Sequence, residues 1–248
     1  MNLSTVKSIA IPEGNATSFS IGGVKVWSDN SGGGGEPAEL LSWEGVAYHI
    51  NKGTYKDVYA IGDMVPLDLG SEGLINMQIA AFDTDKLADG SGTAAISWVA
   101  KEVASTSYYM NQVADVTGGW ENSAMRAYLA TTMFGLLSRQ VKTLVEPVLK
   151  TQVIYNTSNV AGSQTTVDSL WLLNEDEAIN GFYAELFPDD VSRQKTDLSG
   201  KRRTWYLRDV ASYKRKKWVY IQTDGTRISG TGTTADIVFG FCTGKTPT

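Results

Sequence analysis

The sequence predicts an α+β protein in which antiparallel strands surround two or three helices. Runs in which β-branched or aromatic residues alternate with polar ones lie near both ends of the chain, whereas helical spacing is confined to its middle. Strong two-residue turn signals such as Asp224-Gly225 separate the later strands at hairpin distance. Strands and helices do not alternate regularly, so the pattern favours an α+β arrangement over a parallel βαβ sheet.

The first 28 residues predict a small β module. Apolar and polar residues alternate over 6–28, and the run is interrupted by Gly14-Asn15 and by Gly22-Gly23. This pattern predicts three short strands joined by two turns. So few strands cannot bury their apolar face by themselves, and they leave their edges open. We therefore expect residues 1–28 to dock on another chain as an attachment module, within a homotrimer or on a second protein.

A glycine-rich linker follows this module. Residues 29–35 read DNSGGGG, a composition that imposes little torsional restraint on the backbone. This boundary predicts three parts: the β module at 1–28, the linker at 29–35 and a larger domain at 36–248.

The larger domain begins with strand signals and continues with helix signals. The predicted strands are VAYHI (46–50), DVYAIGDMVPLDL (57–69) and LINMQIAAFD (74–83). Asn122 or Ser123 can cap the first helix. Six residues of this helix share one face: Met125, Tyr128, Leu129, Thr132, Met133 and Leu136. A second helix is expected to begin at Ser138 and to end or kink near Pro147.

The last part of the chain predicts a third helix and then strands again. Three acids open the segment 175–186, and negative charge favours a helix N-terminus. The strands predicted after this helix are RTWYLRDV (203–210), KWVYIQT (217–223), TRISG (226–230) and DIVFGFC (236–242). Asp224-Gly225 predicts a tight hairpin between the second and third of these strands.

The composition argues against several classes of function. The net charge is -5, which argues against a surface that binds nucleic acid or membranes generally. One cysteine and one histidine allow no disulfide within the chain and no zinc site of histidine and cysteine ligands. The sequence contains no signal peptide pattern and no long apolar run. We therefore expect synthesis in a cytoplasm without a signal peptide, and no membrane insertion.

Individual reactive residues favour structural roles. His49 lies in the predicted strand VAYHI and Cys242 in the apolar run VFGFC, where buried and unreactive side chains are expected. Asp83, Asp85 and Asp89 offer the oxygen ligands that calcium prefers, but their spacing misses the calcium-loop pattern. We therefore predict no metal site.

Paired carboxylates and glycines also do not predict an enzyme. Glu175 with Glu177, or Asp189 with Asp190, could serve glycoside hydrolysis only at a defined separation, which adjacency in sequence does not establish. Helix capping explains the first pair. The glycines form no nucleotide-binding motif. The sequence thus predicts no catalytic residue and no cofactor.

The segment 201–217 is the strongest candidate for a binding site. It holds eight of the 22 basic residues of this acidic chain, interleaved with tryptophan and tyrosine. Arginine and aromatic side chains carry interface hot spots, and aromatic rings stack on sugars. The candidate ligand-binding residues are Arg202, Arg203, Trp205, Tyr206, Arg208, Tyr213, Lys214, Arg215, Lys216, Lys217 and Trp218. Alternatively, residues such as Trp205 and Val219 fill the core, and the cations of 214–217 lie on a solvated turn.

Four segments of the larger domain follow one another in a distinctive order: GGWENSAMRAYL (118–129), LWLLNEDEA (170–178), TWYLRDV (204–210) and the terminal FGFC (239–242). They resemble an uncharacterised domain family found in bacteria and their phages. The family repeats a Trp-x-x-Ser-x-x-Arg helix and the later segments in this order, and FDTDKLADGSGTAAISW (82–98) matches its central stretch. The resemblance spans about residues 43–243. It implies a C-type-lectin-like fold, similar to that of formylglycine-generating enzymes and of variable phage receptor-binding proteins.

The resemblance does not extend to the chemistry of related enzymes and lectins. Formylglycine-generating enzymes need two active-site cysteines, and only Cys242 is present. Calcium-dependent lectins carry Glu-Pro-Asn or Gln-Pro-Asp and Trp-Asn-Asp motifs, whereas the nearest segment here is Phe-Pro-Asp-Asp at 187–190. In variable lectin-fold binders the ligand surface is built from C-terminal strands and loops. Residues 204–230 occupy the matching place in this chain.

The segment 6–28 separately resembles short leaders of phage tail and baseplate proteins. Together the two resemblances predict a virion protein, namely a receptor-binding protein of a phage or prophage tail tip or fibre. Its expected partners are a bacterial surface glycan or protein, bound by the C-terminal domain, and other virion tail proteins, bound by residues 1–28. Two alternatives stay open: a structural virion or baseplate protein that binds no host ligand, and a glycan-degrading enzyme.

Overall fold

The structure is a computed structural model that describes residues 18–21, 24–28, 39–155, 160–212, 214, 216–231 and 234–246. Of residues 18–21 and 24–28 it describes the backbone only. The linker predicted at 29–35 lies outside the described residues, as does the first strand predicted in the N-terminal module.

Antiparallel strands form most of the fold. In chain order they are β1 (Ser18–Ile21), β2 (Val24–Ser28), β3 (Met64–Asp68), β4 (Leu74–Phe82), β5 (Ala94–Ala100), β6 (Val145–Glu146), β7 (Val148–Tyr155), β8 (Val160–Asp168), β9 (Trp171–Leu172), β10 (Lys195–Thr196), β11 (Arg202–Arg203), β12 (Trp205–Ser212), β13 (Lys217–Ile221), β14 (Arg227–Gly230) and β15 (Phe239–Lys245). β1 and β2 pair with each other, which confirms the strands predicted on either side of Gly22-Gly23.

The helices are few and short. They are α1 (Trp43–Lys52), α2 (Tyr55–Val58), α3 (Ala124–Tyr128), a π turn (Leu129–Met133), α4 (Phe134–Leu136), α5 (Arg139–Leu144) and α6 (Glu175–Ala178), with a 3₁₀ turn at Gly70–Glu72. None of the helices that the structure describes has the length and apolar character needed to cross a membrane. Short helices among mostly antiparallel strands confirm the predicted α+β class.

The largest sheet has six strands and curls into a half-barrel. Its order is β3-β4-β5-β15-β6, with β9 also paired to β15. The last strand therefore lies in the middle of the sheet, where Phe241 pairs with Trp98. Helix α1 packs on this sheet through Trp43, whose ring centroid lies 5.1 Å from that of Trp98 and 5.6 Å from that of Phe241. All seven residues of β5 are buried, so both faces of the sheet are covered there.

A three-stranded sheet, in the order β12-β13-β14, carries most of the predicted binding segment. β13 and β14 form the hairpin predicted at Asp224-Gly225, with Ile221 paired to Arg227. Gly225 has a φ of 89°, and a Cβ there would lie only 1.6 Å from the Asp190 carbonyl oxygen. Both the left-handed backbone and the close approach of another segment therefore require glycine at this turn.

The segment VAYHI is predicted as a strand but forms part of helix α1. The Ser42 hydroxyl caps the helix by accepting a backbone N–H at 3.0 Å, and Gly53 ends it with a φ of 70°. The buried residues Trp43, Val46 and Ile50 are three and four positions apart, which is helical spacing. Five alternating residues were too short a window to reveal this period.

The three helices predicted in the middle of the chain begin where expected, and only the third ends earlier than predicted. Ser123 caps α3 and Ser138 caps α5 through their hydroxyls, and α5 ends before Pro147. Helix α6 begins at Glu175 as predicted but ends at Ala178, and the chain then turns through Gly181 at a φ of 101°. In DVYAIGDMVPLDL only Met64–Asp68 is a strand, because the first two residues belong to α2 and residues 59–63 form a turn.

Candidate functional site

The predicted binding residues do not form one continuous surface. Ser212 pairs with Lys217 at the turn between β12 and β13, whereas Arg202 and Arg203 precede the opposite end of β12. This strand has eight residues. A strand of that length separates its two ends by roughly 20 Å. The segment 201–217 therefore provides two separate basic groups.

Four of the predicted residues lie in the core. Trp205, Tyr206, Arg208 and Trp218 are each at most 2% exposed. Their burial corrects the expectation that they present a displayed binding surface. Both faces of β12 are covered by other parts of the chain, so alternation along the strand does not bring these side chains to solvent. Trp205 fills the core, as the alternative interpretation predicts, and Tyr206 and Trp218 are buried as well. Arg208 forms a buried ion pair with Glu177.

The basic turn is exposed where the structure describes it. Lys214 and Lys216 are exposed, and Lys217 is half-buried at the start of β13. Lys216 has a φ of 52°, in the left-handed region that tight turns use. Tyr213 and Arg215 lie outside the described residues. The interpretation of this segment as a solvated turn is confirmed for Lys214 and Lys216.

The other basic group borders a cleft of about 350 Å³, which we call the arginine cleft. Its lining includes Ser107, Arg202, Arg203, Thr204, Tyr220 and Asp236. Three segments meet here because backbone hydrogen bonds join them. The Asp236 N–H donates to the Thr204 carbonyl at 3.2 Å, and Tyr108 and Ala235 exchange backbone hydrogen bonds of 3.1 and 3.2 Å.

The two arginines of this cleft have different partners. Arg203 forms a bidentate ion pair with the buried Asp236, through Nε at 2.7 Å and Nη2 at 3.1 Å. Hydrogen bonding to Asp236, together with its charge, raises the pKa of Arg203. Ser107 also donates to the Asp236 carboxylate. Arg202 is exposed and makes no ion pair with any residue that the structure describes, so its guanidinium remains available to a ligand.

A second cleft, of about 430 Å³, lies over a cluster of four buried charges. We call it the phenylalanine cleft, after the exposed Phe182 in its lining. Lys150 Nζ lies 2.6 Å from Asp85 Oδ1 and 2.8 Å from Glu177 Oε1. Arg208 donates two further hydrogen bonds to Glu177. The two cations and two carboxylates therefore compensate each other without contact with bulk solvent.

In this cluster the attraction between opposite charges and the hydrogen bonds together shift the pKa values more than burial does. Burial acts to raise the pKa of Asp85, but Lys150 and the other donors around the carboxylate bring it below its ordinary value. Burial also acts to raise the pKa of Glu177, and the charges of Arg208 and Lys150 lower it. For Lys150, burial lowers the pKa, and the two carboxylates raise it. Removal of any one member would leave the cluster with one buried charge that is not compensated.

The segments that carry the family resemblance build buried contacts. Trp120 Nε1 and Arg126 Nε both donate to Asp168, at 2.9 and 2.6 Å, and so attach the Trp-x-x-Ser-x-x-Arg segment to β8. In the LWLLNEDEA segment, Asn174 and Glu177 form a capping box at the start of α6. These motifs therefore hold the scaffold together. We therefore expect ligand contacts to come from exposed residues outside these motifs.

Sequence reasoning missed Lys150 and considered Asp85 for a different role. Asp83, Asp85 and Asp89 each pair with a different lysine, so their loop does not bring them together. Among the described residues, no group of three or more His, Cys, Asp or Glu side chains could hold a metal ion. The capping-box spacing was an available signal for Glu177. Nothing in sequence marks Lys150, which lies 65 residues after Asp85.

His49 and Cys242 are both buried, as predicted. His49 Nδ1 lies 2.8 Å from Thr54 Oγ1 within the turn after α1. Burial raises the pKa of the Cys242 thiol well above its ordinary value. Both side chains therefore belong to the interior and are not displayed as reactive groups.

Lys195 is a buried lysine outside both clefts, and it predicts a pH-dependent stability. Its Nζ donates to the Ala100 carbonyl at 2.7 Å, and burial lowers its pKa to about 7 from an ordinary 10.5. Between these values the unfolded chain binds the proton and the folded chain does not, so stability rises with pH. We expect Lys195→Met to be more stable than the original protein at pH 7. This advantage should shrink by about 1.4 kcal/mol per pH unit as the pH rises.

Urea denaturation at a series of pH values would measure this difference. Lys201→Met, at an exposed lysine, is the matched control and should change stability equally at every pH. A stability difference for Lys195→Met that stays constant between neutral pH and about pH 10 would contradict the prediction.

Comparison of the sequence with known protein families finds one match. Residues 96–237 match the family described as domain of unknown function DUF6273, and the match covers more than half of the 248 residues. The matched range includes the resemblance segments 118–129, 170–178 and 204–210. No curated protein and no solved structure matches the chain significantly. The chain therefore belongs to the DUF6273 family of domains of unknown function.

Proposed function

We propose that this protein is a receptor-binding protein of a phage or prophage tail tip or fibre, and that its arginine cleft binds an anionic bacterial surface glycan. The observation that carries the proposal is Arg202, which is exposed and has no ion pair among the described residues. A guanidinium presents a planar fork that matches carboxylate and phosphate oxygens. Teichoic acids and acidic polysaccharides carry these groups.

The remainder of the cleft suits a polyhydroxylated chain around the anionic group. Thr204 and Ser107 supply hydroxyls, and Tyr220 supplies an aromatic side chain in the same lining. Asp236 holds Arg203 in place, so the cleft has a fixed donor beside Arg202, which has no ion pair with any described residue. A site with a preorganised polar wall loses less conformational entropy when a ligand binds.

The placement of this cleft supports a lectin-like mode of binding. It lies beside β12 and β13, in the region that forms the ligand surface of variable binders with a C-type-lectin-like fold, to which the sequence bears a resemblance. We propose the same architecture for residues 36–248. In this proposal the protein is part of the virion and forms a homotrimer. Residues 1–28 attach it to other tail proteins. The cleft binds its ligand without catalysing a reaction.

Arg202→Gln provides the direct test. Loss of a charge-assisted hydrogen bond should weaken binding to wall teichoic acid or to an acidic capsular polysaccharide by about 10- to 100-fold. Binding of the full chain to immobilised polysaccharides, measured by biolayer interferometry, gives the affinities. Binding by the original protein should also weaken as salt rises, because the ligand is charged.

Two control variants separate the cleft from general positive charge. Lys201→Gln removes an adjacent exposed charge that does not line the cleft, and Lys214→Ser with Lys216→Ser removes charge from the distant turn. Both controls should retain affinity within about threefold. Lys201 does not line the cleft, and the turn at 214–217 lies farther from it than a Debye length, where the interaction between surface charges is largely screened. Equal loss in Arg202→Gln and in either control, or no binding to any anionic polysaccharide, would refute the proposal.

A further inference from the structure

The geometry points to a second ligand site: we propose that the phenylalanine cleft binds a neutral saccharide. Its volume of about 430 Å³ lies within the range of small-molecule sites. The cleft contains an exposed aromatic ring, several hydroxyl groups and a buried polar floor. This site is separate from the arginine cleft, with which it shares no lining residue.

Phe182 provides the apolar platform that a sugar ring requires. Phe182 is 47% exposed, although large aromatic side chains are usually buried in the core. One neighbour, Tyr183, holds its position with a ring-centroid distance of 5.1 Å. The C–H face of a pyranose is apolar enough to pack against such a ring, while its hydroxyls point to the surrounding polar groups.

Hydroxyl and carboxylate groups surround this platform. Thr151 and Thr165 lie on adjacent strands, exposed, with their hydroxyl oxygens 3.0 Å apart. Asp176 is exposed at the start of α6 and accepts one hydrogen bond from Asn180 at 2.9 Å. A carboxylate has about four acceptor positions, so Asp176 retains capacity for further hydroxyl donors. These groups supply both donors and acceptors to sugar hydroxyls.

The charges of the cleft cancel, which favours a neutral ligand over an anion. The floor contains the two cations and two carboxylates of the buried cluster. At the exposed part of the lining, Lys86 and Asp176 add one charge of each sign. A balanced cleft attracts neither anions nor cations over distance. Selection here therefore depends on shape and hydrogen bonding.

Arg208 provides an independent observation that points to a polar ligand. It is 2% exposed and lines the cleft, and its Nε has no hydrogen-bond partner among the described residues. A buried donor without an acceptor is costly, and such a group is normally satisfied by an ordered water or a ligand oxygen. A saccharide hydroxyl, directly or through water, would accept this hydrogen bond.

The test is titration of the full chain with methyl α-glycosides of glucose, galactose, mannose and N-acetylglucosamine, observed by saturation-transfer NMR. We expect saturable binding of at least one glycoside. Phe182→Ala should weaken this binding about tenfold through loss of ring contact. Thr165→Val, which keeps the shape and removes a hydroxyl, should weaken it about fivefold. Val191→Ala alters an exposed apolar residue outside the cleft and should leave affinity unchanged.

Salt dependence distinguishes this site from the arginine cleft. Glycoside binding should persist when salt is raised from about 50 mM to about 500 mM, because a neutral ligand is not screened. Thermal melting of each variant establishes that it is folded. The proposal is overturned if the original protein binds none of the glycosides, if Phe182→Ala and Thr165→Val both bind as tightly as the original, or if high salt abolishes binding.

Discussion

Replacing Lys150 with methionine is expected to lower the free energy of unfolding by about 3–5 kcal/mol. Lys150 Nζ is the shared partner of Asp85 and Glu177, at 2.6 and 2.8 Å, and it lies 3.7 Å from the centroid of the Trp171 ring. Methionine fills a similar volume but leaves Asp85 without its ion-pair partner in the interior. Urea denaturation at neutral pH would measure the loss.

The same substitution should move acid unfolding to higher pH. Lys150 contributes to the lowered folded-state pKa of both Asp85 and Glu177. A carboxylate with a lowered pKa adds stability above its unfolded pKa and loses it as pH falls through the folded value. Without Lys150 the folded pKa values rise, so protonation begins earlier during acidification. Circular dichroism during an acid titration would follow the transition.

A double variant provides the control for this cluster. Asp85→Asn combined with Lys150→Met removes both charges of one pair, so it should recover part of the stability lost by Lys150→Met alone. Lys201→Met, at an exposed lysine, should change stability by less than about 0.5 kcal/mol. Unchanged stability and an unchanged acid midpoint in Lys150→Met would show that the ion pairs do not hold the fold.

Replacing Trp218 with alanine is expected to cost about 3–5 kcal/mol by leaving a large cavity in the core. Trp218 is completely buried on β13, the central strand of its sheet, where it pairs with Val210 and Gly230. The loss should appear as a lower midpoint of thermal or urea unfolding. Trp218→Phe keeps an aromatic ring and should cost distinctly less.

The nearby basic turn supplies the comparison for Trp218. Lys214→Ser with Lys216→Ser alters exposed residues in the turn before β13, and stability should stay within about 0.5 kcal/mol of the original. The two variants thus distinguish a core residue from a solvated one within a single candidate segment. Equal stability of the tryptophan and lysine variants would contradict the burial described here.

Local signals account for the predictions that the structure confirms. Ser123 and Ser138 begin helices because a hydroxyl can accept a free backbone N–H, and that contact involves neighbours in sequence only. Asp224-Gly225 forms a hairpin because glycine adopts the required left-handed backbone. Lys214 and Lys216 are exposed because adjacent like charges cannot be buried without partners.

Predictions fail where distant residues decide the outcome. VAYHI is a separate case, because the signals that were missed are local: five residues fit a strand, whereas the longer window from the cap at Ser42 to the stop at Gly53 shows a helix. The local sequence predicts Arg208 as an exposed cation, whereas the structure buries it against Glu177, which lies 31 residues away in the chain. The arginine cleft likewise depends on Asp236, which reaches Arg203 from a segment 33 residues later.

The sequence by itself determined the α+β class, the Asp224-Gly225 turn, the beginnings of three helices and the membership in a domain family, because these depend on short-range periodicity, capping and motif order. The tertiary structure alone decided which basic and aromatic residues face solvent. It placed Trp205 and Trp218 in the core, paired Lys150 with two carboxylates and left Arg202 at a cleft without an ion pair to any described residue. The physical reason is that burial and ion pairing depend on contacts between residues far apart in the chain, and no local pattern encodes those contacts.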